Sequence, residues 1–155
     1  MTDQEKIKSK NKLKLYCHTV IKQRIEAAKT AIENAQLAAN NEEKSSAGDK
    51  YETGRAMGHL EKDMHSRQMR ENIQELAALH SINTDIVYTA ATSGAFIQCV
   101  NMSFFIIAGL GKQVIEGEKV LFLSPHAPLA KVLRSKEAGD RFIFNSIQID
   151  IVDVY

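Results

Sequence analysis

From about Lys6 to Asn41, apolar or small residues return every three or four positions: Leu13, Cys17, Ile21, Ile25, Ala28, Ile32, Ala35 and Ala39. That spacing is one stripe of an amphipathic helix. At 1.5 Å per residue the helix is on the order of 50 Å long, more than a compact domain of this size usually buries. A second run, from about Lys50 to His80, places Met57, Leu60, Met64, Met69, Ile73, Leu76 and Leu79 at mostly similar spacing. It slips in phase near Arg67, and Gly54 and Gly58 weaken its start. Between the runs lies NNEEKSSAGD, rich in the residues that close turns. Two long helices joined by so short a turn pack antiparallel, which predicts a coiled-coil hairpin over residues 1–82 with its tip at about 42–53.

After Ser81-Ile82-Asn83 the period changes. Ile86 to Tyr88, Phe96 to Val100, Phe104 to Ala108, Lys119 to Leu123, Arg141 to Phe144 and Ile147 to Val154 are short β-rich stretches separated by Gly, Asn and Asp. Only Pro125 to Leu133 has a helical pattern among them, with Leu129, Val132 and Leu133 on one side. Residues 83–155 are therefore expected to form a small α+β domain whose sheet packs on that helix, with a hinge near residue 82. The run Phe104 to Ile107 belongs in its core, although one face could serve a partner. No internal repeat is present.

The chain has 155 residues, 20 basic against 19 acidic, for a formal net charge of +1. That balance excludes the strong global attraction to phosphate of basic nucleic-acid-binding proteins. Local asymmetry remains: Lys6, Lys8, Lys10, Lys12 and Lys14 crowd the start, while Glu42, Glu43, Asp49 and Glu52 gather near the middle. The lysine run reads as a solvated helix face. Cys17 and Cys99 have no zinc or redox spacing and look like small buried hydrophobes, which suits a reducing cytosol. No apolar stretch approaches the roughly 18 residues of a membrane span, so a soluble cytoplasmic protein without a membrane partner is expected. His18, His59, His65, His80 and His126 lack metal-site spacing and read as surface or boundary residues. Arg55 and Arg67 either interrupt the hairpin seam or snorkel from it.

The order of turns and strands in LFLSPHAPLAKVLRSKEAGDRFIFNSIQIDIVDVY, Leu121 to Tyr155, resembles the C-terminal domain of the bacterial Gre transcript-cleavage factors. The shared features are Ser124-Pro125, Pro128-Leu129-Ala130 before Leu133, and Gly139-Asp140 ahead of the last hairpin. The helical hairpin is similar to the family's coiled-coil arm, so the resemblance spans nearly the whole chain. It implies an FKBP-like second domain and an arm that enters the secondary channel of RNA polymerase. No prolyl isomerase activity is expected, since that pocket needs a tryptophan floor and the chain has no Trp. A cysteine-nucleophile enzyme is disfavoured by the placing of both cysteines and by the length of the chain.

The family's tip carries Gly-Asp-x-x-Glu, matched here by Gly48-Asp49-Lys50-Tyr51-Glu52. By this resemblance Asp49 and Glu52 share a Mg²⁺ with the polymerase, which then hydrolyses its own backtracked RNA. The protein would be a monomer with no cofactor of its own and no small-molecule substrate, stimulating another enzyme's activity. Glu42 and Glu43 are secondary candidates, with a solvated helix end as the plainer reading. One alternative stands beside the metal role: Asp49-x-x-Glu52 is a serviceable capping box for the second helix. A cap one turn earlier by Ser46-x-x-Asp49 would instead leave both carboxylates projecting into solvent. The chain also departs from the family: Thr53-Gly54-Arg55-Ala56 stands where Asn-Ala-x-Tyr is usual. Aligning Tyr51 with the family tyrosine would place Lys44 and Ala47 at the acidic positions. Asn101-Met102-Ser103 is a very short join between strands, and Arg134-Ser135-Lys136 replaces Leu-Gly-Lys. Two further readings are a polymerase modulator without cleavage stimulation and a coiled-coil adapter for other partners.

Overall fold

The computed structural model describes the backbone of residues 1–43 and 48–155 and the side chains of residues 1–41 and 53–155. Two long helices, α1 (Asp3–Glu43) and α2 (Gly48–Ser81), precede a mixed α+β region. It comprises β1 (Phe96–Cys99), β2 (Ser103–Ile106), β3 (Gly111–Ile115), β4 (Glu118–Leu123), α3 (Pro128–Leu133), β5 (Arg141–Phe144) and β6 (Ile147–Val154). No helix among the described residues is long and apolar enough to cross a membrane.

Contacts divide the chain into two compact units. One joins Met1–Cys17 to Ala78–Tyr155, and the other is His18–Ala77. The first 17 residues thus pack with the sheet, whereas the periodicity alone assigned all of 1–82 to the hairpin. The reason lies in the side chains of the first four turns of α1, which reach residues 82–95 and the ends of the sheet.

In the His18–Ala77 unit the two helices run antiparallel, since Lys62 Nζ donates to Gln36 Oε1 (2.9 Å) while Gly58 lies against Ala39. The α1 side of the seam is the expected stripe, with Ile21, Ala28, Ala35 and Ala39 buried. On α2 the seam differs from the apolar stripe of the sequence. The half-buried or buried positions are Gly54, Gly58, Lys62, His65, Ser66, Met69, Asn72, Glu75 and Leu76, a band that follows steps of three and four. Met57, Leu60, Met64 and Ile73 are exposed instead, as are Arg55 and Arg67. Close approach explains the choice. A Cβ at Gly58 would stand 3.2 Å from that of Ala39, so small residues set the spacing and a Met or Leu would not fit.

In the other unit the strands form one sheet in the order β3-β4-β2-β1-β6-β5. Only β2 and β4 are parallel. Strand β2 is central and buried throughout, so its neighbours Phe104 and Phe105 point to opposite faces. Phe104 packs edge-on against Phe142 and Phe144 in a cluster that includes Ala130 and Leu133 of α3. Phe105 meets Phe96 and Phe122, and Phe122 meets Tyr16 of α1. The sheet is therefore covered by α3 on one face and by the start of α1 on the other.

Two hairpins close with two-residue turns at positive φ, Glu116-Gly117 and Asn145-Ser146, whose twist matches that of the strands. Helix α3 begins at Pro128 instead of Pro125. Residues 124–127 form a turn, with Ala127 N–H donating to Ser124 O (3.0 Å), and Pro128 takes the first helical position where no amide is needed. The expected strand Ile86 to Tyr88 is absent and β3 stands where none was expected.

Candidate functional site

The backbone of α2 begins at Gly48 and carries Asp49 and Glu52 in its first turns. Positions three apart on one helix share a face. The side chains of Asp49, Glu52, Glu42 and Glu43 lie outside the described residues, as do Lys44 and Ala47 of the alternative register and Ser46 of the alternative cap. What the sequence placed together is thus two carboxylates at i and i+3 on the leading turns of α2. Hard oxygen donors of this kind fit Mg²⁺, which takes one or two protein carboxylates and keeps most of its waters. Among the described residues no group of three or more His, Cys, Asp or Glu side chains could hold a metal.

A second polar cluster was missed by the sequence reading. Only part of the lysine run is a solvated face: Lys8 and Lys12 are exposed, whereas Lys6, Lys10 and Lys14 stand four apart and point the same way from α1. Lys6 pairs with Asp153 at 2.9 Å and lies over the Tyr155 ring. Lys14 donates to Ile82 O at 2.6 Å. Between them Lys10 has no exposed surface at all. Its ammonium donates to the carbonyl oxygens of Ile86 (2.5 Å) and Gly94 (3.1 Å) and sits 4.7 Å from the centre of the Tyr88 ring. Lys12 pairs with Glu116, and Lys8 is exposed. Asn11 adds a bond to Asp85 (2.8 Å) and accepts one from Thr84.

In place of strand pairing, the Ile86 carbonyl accepts from Lys10 and the Tyr88 ring lies beside its ammonium. The signal available in the sequence was the i, i+4, i+8 spacing of three lysines flanked by Leu13 and Cys17. No rule of composition distinguishes such a row from a solvated one.

Burial draws the Lys10 ammonium down to about 8, with the Asp85 carboxylate acting in the opposite direction. The folded value lies below the unfolded one, so between about pH 8 and 10.5 the unfolded chain binds more protons and stability rises with pH. Cys99 works against this. Burial, aided by Asp150, pushes its thiol up to about 11 from 9.0, so stability declines as pH rises from 9 to 11. Tyr155, pushed up to about 12 mainly by burial, acts higher still. The clean window is pH 8 to 9, where urea unfolding should show stability rising by up to about 1 kcal/mol. The rise should vanish in Lys10→Met or Lys10→Gln, and an unchanged slope in both would refute the assignment.

Both cysteines are buried, and Cys99 is held protonated, the reverse of an activated thiolate. No family model, no curated protein and no solved structure matches this chain.

Proposed function

We infer that the protein is a Gre-type accessory factor of RNA polymerase, with the hairpin as the arm, an FKBP-like sheet domain as the part that grips the channel rim, and Asp49 and Glu52 as the working groups. The observation that supports this reading is that α2 begins at Gly48, so that Asp49 and Glu52 of the Gly48-Asp49-x-x-Glu52 segment stand in the first turns of the second helix. Asp49 and Glu52 would offer oxygen ligands to a Mg²⁺ shared with the polymerase, and that ion, when bound, supplies the Lewis acidity that activates water against a phosphodiester. The two side chains themselves do no covalent work. They hold and orient, so the protein is a stimulator of cleavage and acts only within the complex.

Added to stalled, backtracked elongation complexes, the protein is expected to shorten the nascent RNA from its 3′ end and to be retained on immobilised polymerase. Failure to bind polymerase would overturn the reading and leave a coiled-coil adapter. A second outcome has its own support in Thr53-Gly54-Arg55-Ala56, which departs from the family tip. On that reading the protein binds and slows synthesis without any cleavage.

A further inference from the structure

A cavity of about 260 Å³ lies between the first turns of α1 and the face of the sheet opposite α3. Strand alternation brings it a polar side chain: Phe104 points toward α3, so Ser103 before it points to the α1 side. Leu13 of α1 and Phe96, Ile115 and Val120 of the sheet form its apolar wall. Three of these are buried, and Ile115 is half-buried. Ser9, Gln98 and the exposed Met1 contribute to the lining as well.

Two hydroxyls at this cavity, those of Ser103 and Tyr155, have no hydrogen-bond partner among the described residues. Their residues are only 8% and 4% exposed, and both line the cavity. No fully buried side-chain oxygen among the described residues is left unsatisfied, so both hydroxyls keep surface on the cavity. The charged side chains in the lining are Lys12, Glu116 and Glu118. Lys12 is paired with Glu116, which leaves the Glu118 carboxylate without an ion pair among the described residues. Its field reaches the aromatic wall. The Tyr155 hydroxyl is pushed up to about 12, chiefly by burial and then by the Asp153 and Glu118 carboxylates. The uncompensated charge of the lining is therefore negative.

We propose that this cavity binds a small organic cation, a primary ammonium joined by a short arm to an apolar body about the size of one aromatic ring. An apolar cavity of about 150 Å³ takes benzene, and the larger volume here admits such a ring together with its arm. An ammonium has three N–H donors and no acceptor. The Glu118 carboxylate and the Ser103 and Tyr155 hydroxyls offer it lone pairs. The apolar body takes the Leu13, Phe96 and Val120 wall, where its burial is favourable. An anion of the same shape meets the Glu118 charge, and a neutral ligand leaves that charge uncompensated, so charge sets the specificity. The site is separate from the hairpin tip and does not rest on the polymerase reading.

The test uses the full chain at neutral pH, with 2-phenylethylamine as probe and amide shifts followed by NMR. At millimolar amine the amides of Gln98, Ser103 and Val120 should shift saturably, while those of α3 on the other face stay in place. Phenylacetate, which has a similar body and the opposite charge, should leave all of them unmoved. The neutral 2-phenylethanol should bind about ten-fold or more weaker than the amine. Glu118→Gln, a change at an exposed side chain, should weaken the amine by about ten-fold, and Ser103→Ala by a few-fold. Absence of a saturable shift with the amine would overturn the proposal, as would equal shifts with phenylacetate. Unchanged amine affinity in Glu118→Gln would also overturn it, showing that the cavity takes the ring and ignores the charge.

Discussion

Asp49→Ala combined with Glu52→Ala is expected to abolish stimulated RNA cleavage while leaving polymerase binding intact. A metal's contribution to a charged transition state is several kcal/mol, and each 1.36 kcal/mol is tenfold in rate. On the proposed metal role, replacing both carboxylates should therefore slow cleavage by roughly 100-fold or more. The single variants should each retain part of the activity, with more lost as Mg²⁺ is lowered, because one carboxylate still offers an oxygen. Glu42→Ala with Glu43→Ala serves as the comparison and should leave cleavage near the wild-type rate. If the Asp49/Glu52 pair is replaced and cleavage persists, the acids are helix-capping groups, and circular dichroism of the variant would then show the loss of α2 helicity. Measured binding separates either case from a failure to reach the polymerase.

Gly94→Ala should be the most damaging single substitution in the sheet unit. Gly94 has φ of +88°, and an added Cβ would stand 2.4 Å from the carbonyl oxygen of Asn83. That oxygen is main chain and also accepts the Tyr88 hydroxyl, so it cannot swing aside. Gly94 further donates to Ile106 O at 2.7 Å and accepts from Lys10 at 3.1 Å, which ties any shift to both β2 and α1. A positive φ alone costs about 1 kcal/mol outside glycine, and the clash should raise the total to about 3 kcal/mol or more. Gly139→Ala isolates the first part, since Gly139 has φ of +90° and nothing within 4 Å of its would-be Cβ. Urea denaturation followed by tyrosine fluorescence should place Gly139→Ala slightly below the wild type and Gly94→Ala far below both. Equal losses would show that backbone conformation, not the Asn83 contact, makes Gly94 necessary.

Periodicity was a good guide wherever one side of an element faced a single apolar layer, as in α1 and both halves of the β5–β6 hairpin. The doubly buried β2 was legible instead as a short continuous apolar run. It failed on α2, where the most apolar line, Met57, Leu60 and Met64, lies off the seam. There, the distance between helices is set by Ala35, Ala39 and Gly58, and a scale that ranks residues by hydrophobicity cannot see that fit matters more than payload. Strand β3 was missed because Gly111 to Ile115, GKQVI, offers no apolar alternation, and its order comes from pairing with β4 and from Tyr16, which donates to Gln113 at 3.0 Å. Lys10 was misread because a lysine's preference for water is a tendency over many proteins. Two carbonyl oxygens and an aromatic face can hold one charge inside, and those partners lie 76 and 84 residues further on. For the tip, the spacing of Asp49 and Glu52 was legible, but which groups they face is a matter of side chains beyond those described.

The distance in sequence between Lys10 and its carbonyls has a consequence during synthesis. The first turns of α1 leave the ribosome well before the backbone that is to receive them, and at 5–20 residues per second the wait is roughly five to fifteen seconds. Throughout that interval Leu13, Cys17 and the lysine row have no docking surface, so the N-terminal helix must remain soluble on its own charge. Dense lysines at this end would then serve the nascent chain before they serve the finished one, keeping an unpaired amphipathic helix from adhering to its neighbours until the sheet arrives.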